Sequence, residues 1–206
     1  MGMMLDFTTK LAAAAAILGA VIALPSDVHS QTHESVLFQT EVITITVTTG
    51  TVSVRGQYKF ANVSSFPRFV TLFYPFPVDS LHPFPSHIAA VSGTDSVPFK
   101  RGRNGIYFAA RLPREGSVRV DVSYDQPCLV PNACYILRTT AYWRVPLDEA
   151  RFEVRVPPGI ELRSMSYPAD EVLADRDTLV CKFTRKDFMP VTDLCLEWQA
   201  EKNDTE

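Results

Sequence analysis

Two runs of strict alternation around one glycine turn constrain this chain more than any other feature. Glu41-Val-Ile-Thr-Ile-Thr-Val-Thr48 sets Ile43, Ile45 and Val47 on one face and threonines on the other. Thr49-Gly50 turns the chain, and Val52, Val54, Tyr58 and Phe60 then share a face opposite Ser53, Arg55, Gln57 and Lys59. Successive side chains of a strand point to opposite faces. Alternation on both sides of a glycine therefore predicts a β-hairpin with one face on a core and the other in water. Gly56 interrupts the second run and predicts a bulge.

The rest of the chain repeats the theme. Asn62-Val-Ser-Ser-Phe-Pro67 is turn chemistry, and Arg68-Phe-Val-Thr-Leu-Phe-Tyr74 is apolar on both faces, which predicts a central strand. Pro75, Pro77, Pro83 and Pro85 predict a stiff, extended connection. Further strands are predicted over 87–91, 106–112, 118–124, 135–143, 152–156, 179–183 and 194–198. Asn104-Gly105, Glu115-Gly116 and Pro158-Gly159 punctuate them. One helical turn is suggested over 147–150, where Asp148 and Glu149 suit a helix start. Roughly ten short strands without a long helix predict an all-β fold, an antiparallel β-sandwich, with a barrel as the alternative. At 46% hydrophobic residues the chain can bury a core. No break in composition divides it, so one domain is expected over 31–198, followed by a polar, disordered tail over 199–206. Residues 126–132, rich in proline, are the one candidate boundary.

The N-terminus carries an address. Lys10 precedes an apolar run over 11–24 and then Pro25-Ser-Asp-Val-His-Ser30. A bilayer core takes roughly 20 apolar residues as a helix, so this run is short for a span. A basic start, a short apolar middle and small residues at a cut site describe a secretory signal over 1–30, with Val28-His29-Ser30 as the site and Gln31 as the mature N-terminus. Asp6 weakens the basic start, and an uncleaved membrane anchor is the alternative. The expectation is an exported protein: periplasmic, secreted or held at the cell envelope.

The four cysteines agree with export. An even count in an exported chain favours disulfides. Sequence order pairs Cys128 with Cys134 and Cys181 with Cys195, and spacing leaves the crossed pairings open. No Cys-x-x-Cys couple suggests zinc. The net charge of −3 gives no electrostatic case for nucleic acid, and Lys100-Arg-Gly-Arg103 reads as a solvated turn.

Val54-Arg-Gly-Gln-Tyr-Lys-Phe-Ala-Asn62, then Phe69-Val-Thr-Leu-Phe-Tyr-Pro-Phe-Pro-Val78, resembles the N-terminal half of the VIT domain of inter-alpha-trypsin inhibitor heavy chains. Leu112-Pro-Arg-Glu-Gly-Ser-Val-Arg-Val-Asp-Val-Ser-Tyr124 is similar to a later strand of that family. The chain also resembles uncharacterised exported bacterial proteins of this β type. The family's acidic-basic crossing segment is missing between the two pieces. The von Willebrand factor A domain that commonly follows, with its metal site, is not expected here. The resemblance implies an exported β-sandwich used for interaction and no catalytic residue.

Other candidate chemistry is sparse. Asp121-Val-Ser-Tyr-Asp125 invites comparison with an Asp-x-Ser-x-Ser metal loop, but an outward strand face would show Arg119, Asp121 and Ser123 in the same way. His82 and His87 flank Pro-Phe-Pro-Ser without a third ligand, and an extended connection gives them no helical convergence. His29 leaves with the signal, and His33 falls in the polar lead. No Gly-x-Ser-x-Gly elbow is present. The acidic pairs Asp148 with Glu149 and Glu171 with Asp175 read as surface charge. Asn62-Val-Ser64 and Asn203-Asp-Thr205 fit the glycosylation pattern. The aromatic stretch over 66–84 mostly fills the core, but its tip, with Phe76, His82, Phe84 and His87, could form an interaction patch. The reading is a non-catalytic exported module without cofactor or metal, binding a protein partner at the envelope, and touching membrane only if its N-terminal segment stays. Alternatives are an exported hydrolase acting on polysaccharide or peptide, and an accessory envelope subunit joined by strand addition.

Overall fold

A computed structural model describes residues 35–200. The segment over 1–30, expected to be a signal, lies outside the described residues, as does most of the expected polar tail, whose first two residues instead complete the last strand. In chain order the strands are β1 (Val36–Thr48), β2 (Thr51–Asn62), β3 (Arg68–Pro75), β4 (Ser86–Ser92), β5 (Asp95–Ser96), β6 (Phe99–Arg101) and β7 (Gly105–Leu112). They continue with β8 (Ser117–Pro127), β9 (Asn132–Tyr135), a 3-10 helix (Arg138–Trp143), β10 (Leu147–Val156), β11 (Ile160–Met165), β12 (Glu171–Asp175), β13 (Thr178–Phe188) and β14 (Leu194–Ala200). The fold is an all-β sandwich.

One layer is an eight-stranded sheet ordered β12-β13-β10-β1-β2-β8-β4-β5. The predicted hairpin is its centre: β1 and β2 pair antiparallel with Ile45 opposite Val54 and Ile43 opposite Gly56. β10 joins the other side of β1 in parallel, with Phe152 beside Ile43. The other layer is broken into two three-stranded sheets, β3-β7-β6 and β11-β14-β9. Both sit on the face of the large sheet that carries Ile43, Ile45, Val54, Val120 and Val122, all buried.

Several local expectations yield to tertiary pairing. Gly56 holds regular register, and the β1–β2 irregularity falls at Phe38/Thr40 instead. The reason for the glycine is steric, because a Cβ there would collide with the ring and hydroxyl of Tyr58. β3 is an edge strand rather than a central one, so the second apolar face of 68–74 is open: Phe69 is 70% exposed. The strand expected over 135–143 stops at Tyr135. Asp193 Oδ1 accepts from the backbone N–H groups of Leu137 (2.9 Å) and Arg138 (3.0 Å), satisfying donors that a ladder would otherwise take. Residues 147–150 begin β10 rather than a helical turn, because ladders with β13 and β1 on either side capture them.

The cysteine pairing is also corrected. The disulfide joins Cys134 to Cys195, which face each other directly in the β9–β14 register. Face parity explains the choice. Ala133 and Tyr135 point inward, as do Leu194 and Leu196, so the cysteines between them meet on the outer face. Cys128 and Cys181 are buried free thiols. Cys181 stands opposite Val154 in the large sheet, and Cys128 sits beyond β8, its N–H donating to Gly50 O at 2.9 Å. Neither can reach the outer face of the small sheet.

Candidate functional site

The seam between the two small sheets is the candidate site. The edge strands β3 and β9 flank it, and the β1–β2 hairpin forms its floor. Parity on β1 puts Glu41 in the same inward row as Ile43, Ile45 and Val47, and only 2% of it is exposed. On β2 the gap left by Gly56 lets Tyr58 lie flat and reach the seam. Its hydroxyl is 2.8 Å from that of Tyr74 on β3 and 2.8 Å from that of Tyr135 on β9. One phenol thus bridges all three sheets.

Above this floor opens a cleft of about 770 Å³, a size typical of small-molecule sites. Phe38 and Phe60, 5.1 Å apart between ring centres, form one wall with Trp143, which lies 5.8 Å and 5.5 Å from them. The 3-10 helix brings in Trp143 and lines the mouth with Thr139 and Tyr142. Arg144 ends the helix in the left-handed region at φ 58°.

The electrostatics of the floor are unusual. Glu41 Oε1 has no hydrogen-bond partner. Burial away from water raises its pKa from 4.5 to about 8, because the charged form loses its hydration. Burial likewise pushes the Tyr58, Tyr74 and Tyr135 phenols well above 10, so they stay neutral. Tyr124 on β8 also reaches Tyr74, so the phenols form a connected hydroxyl network. Chemically, the floor offers one buried acid, a phenol relay and an aromatic wall. No histidine or second carboxylate lines it among the described residues.

The residues expected at the tip of the 66–84 segment are not assembled into a patch. Phe76 is 1% exposed and packs edge-on against Tyr74, Phe84 and Tyr124. It belongs to the core because the proline-rich connection folds back over β8. Phe84 is half-buried beneath the Arg101 guanidinium, 3.6 Å from its ring centre. His82 ties its own loop together, with Nδ1 2.9 Å from Asp79 Oδ1 and Nε2 3.0 Å from Asn132 O. His87 is exposed and pairs with Asp125 at 3.1 Å. Exposed aromatic surface lies instead at Phe66, Phe69, Phe73 and Tyr107. Asp121 faces outward beside Arg119, as the strand reading of that motif expects. No group of three metal-holding side chains occurs among the described residues, and none of their helices is long and apolar enough to cross a membrane.

Sequence reasoning missed Glu41, although its signal was in plain view: it occupies the first inward position of a perfectly alternating strand. The convergence of Tyr74, Tyr135 and Trp143 had no such signal, since it depends on how the second layer divides.

No protein-family profile and no curated protein matches the chain. Solved structures share the fold. A candidate nutrient-binding protein from Legionella pneumophila superposes with a TM-score of 0.66 at 16% identity, over 80% of this chain and 67% of that one. An M1 zinc metallopeptidase from Deinococcus radiodurans gives 0.50 at 14% identity, over 79% of this chain. A two-domain M1 zinc metallopeptidase mutant bound to L-arginine gives 0.50 at 15%. The chain spans 42% of each peptidase. The four histidines, at 29, 33, 82 and 87, include no His-Glu-x-x-His pair.

Proposed function

We propose that this protein is an exported, non-catalytic binding module whose seam cleft takes a small ligand. The observation that carries this reading is the unpartnered carboxyl oxygen of Glu41 at the floor of an aromatic cleft. A buried polar group without a partner costs roughly 1–3 kcal/mol, and a ligand that supplies the partner recovers it. The Legionella neighbour's description as a candidate nutrient-binding protein supports the same direction. Among the described residues no histidine, lysine, cysteine or second carboxylate lines the cleft beside Glu41, which supports binding over hydrolysis, and the Cys134–Cys195 disulfide supports an oxidising compartment. Kinship with VIT domains remains a proposal on the residues quoted for it.

Fluorescence tests this directly. Trp143 sits in the cleft wall and the other tryptophan, Trp198, is buried on β14. Substituting Trp198→Phe leaves Trp143 as the sole reporter. A panel of neutral, cationic and anionic metabolites is expected to include members that shift its emission saturably, and a Thr139→Trp change that fills the mouth is expected to block their binding by calorimetry. A panel without one saturable response overturns the reading.

A second reading, a protein partner, rests on the exposed aromatics Phe66 and Phe69, each 70% exposed. Paired serine substitutions there are expected to abolish envelope-fraction crosslinks; unchanged crosslinks count against it.

A further inference from the structure

We infer that the cleft recognises an organic cation, whose ammonium group meets the Glu41 carboxylate and whose carbon frame lies along Phe38, Phe60 and Trp143. The inference rests on the cleft being a binding site and names its ligand class.

Three observations converge on it. First, Glu41 is 2% exposed with Oε1 unpartnered, and it forms no ion pair with any described Lys, Arg or His. The one basic residue on the cleft lining, Arg144, is exposed at the mouth. An isolated buried carboxylate is among the most costly groups a fold can carry, so the ionised form of Glu41 is short of one positive charge beside it. Second, the wall is aromatic. Ring faces carry a negative quadrupole that attracts cations, most strongly when the cation is desolvated. Third, the hydroxyls of Tyr58, Tyr74 and Tyr135 present neutral oxygens, with their partial negative charge, to an ammonium head without competing positive charge. Once Glu41 is ionised an anion meets repulsion there, and a neutral ligand gains no charge pairing from displacing its proton.

Proton linkage follows from the groups facing Glu41. Those are Tyr58 from β2, Tyr74 from β3 and Tyr135 from β9, all held neutral, with Arg144 exposed beyond them. Glu41 is therefore the group on this floor that changes charge between about pH 5 and 9, and its value near 8 means it is protonated in the empty site at neutral pH. A cation that needs the carboxylate must displace that proton into solvent. Its affinity rises by up to about tenfold per pH unit below 8 and levels off above.

The test uses the mature chain and three probes of matched shape: choline, its neutral carbon analogue 3,3-dimethyl-1-butanol, and the anion 3,3-dimethylbutanoate. Titration calorimetry in two buffers of different ionisation enthalpy is expected to show choline binding at least about tenfold more tightly than either other probe, with close to one proton released at pH 7. In Glu41→Gln the advantage of choline over the alcohol is expected to vanish. If the alcohol or the anion binds as well as choline, or if choline binds without proton release, the cation inference falls while the binding cleft stands. If none of the three binds, both fall. The probe comparison on the unsubstituted protein decides the matter even if Glu41→Gln does not fold.

Discussion

Glu41 is a single carboxyl on which the cleft's chemistry and the fold's stability both depend. Its pKa lies above the unfolded value, so between about pH 4.5 and 8 the folded state holds a proton that the unfolded state has released. Stability is then highest below about 4.5, falls as pH rises through the window and levels off above about 8. A shift of that size corresponds to roughly 5 kcal/mol over the whole window. Glu41→Gln keeps the shape and removes the titration. We expect wild type and variant to be close in stability at about pH 5 and the variant to be several kcal/mol more stable at about pH 9. Guanidinium unfolding at both values measures this, and parallel pH profiles for the two proteins would rule it out. The position was legible in the sequence, because alternation through Ile43, Ile45 and Val47 extends inward to residue 41. Its environment was not, because nothing local tells whether an inward acid meets water at a sheet end or a roofed cleft.

At the scale of elements, the hairpin that floors the site is organised by a glycine and a tyrosine two residues apart. Such neighbours share a strand face, and the missing Cβ of Gly56 lets the Tyr58 ring lie across its own strand. Gly56→Ala forces that ring up into the seam and breaks its contacts with Tyr74 and Tyr135. Overpacking of this kind costs about 1–3 kcal/mol. Tyr58→Phe removes the hydroxyl and takes it from the buried Tyr74 and Tyr135 phenols, at about 1–3 kcal/mol. The Phe ring still occupies the space above Gly56, so we expect Gly56→Ala to destabilise the Tyr58→Phe variant further in thermal unfolding; no further loss would mean the ring does not depend on the glycine. The alternation around Thr49-Gly50 announced this hairpin, whereas the bulge expected at Gly56 was a misreading of why a strand carries glycine. Strand β3 shows the limit of the same logic. An apolar pattern on both faces reads as central, yet the strand lies at an edge with Phe69 in solvent, because strand order is decided by pairing between distant segments.

The whole molecule is one broad sheet roofed by two small ones, and this division determines what the covalent link can do. The outer edges of the large sheet offer little to a strand-adding partner: β5 is two residues long, and β12 is five residues with Glu171 and Asp175 at its ends. The eight-residue edge strand β3, with Phe69 and Phe73 exposed, is the longer open edge, and strand addition under the accessory-subunit alternative would use it. The Cys134–Cys195 bond lies within one small sheet and does not cross the seam, so it holds the β9 side of the cleft without clamping it shut. It spans 61 residues of sequence, and closing a loop of that order is worth roughly 4 kcal/mol on a chain-entropy account. Sequence spacing favoured the short Cys128–Cys134 loop. Face parity decided otherwise, since Cys128 points into a core that pushes its thiol up to about 11 and keeps it unreactive. Thiol counting separates the two pairings. The native protein is expected to give almost no rapid reaction with a disulfide-exchange reagent, two thiols after unfolding without reductant, and four after reduction. Peptide mapping of the unreduced protein is expected to join the segments around 134 and 195. A peptide joining 128 to 134 would overturn this account of the small sheet. Reduction should lower the unfolding free energy by roughly 3–4 kcal/mol while Glu41 and Tyr58, set by the β1–β2 floor, stay in place below the transition.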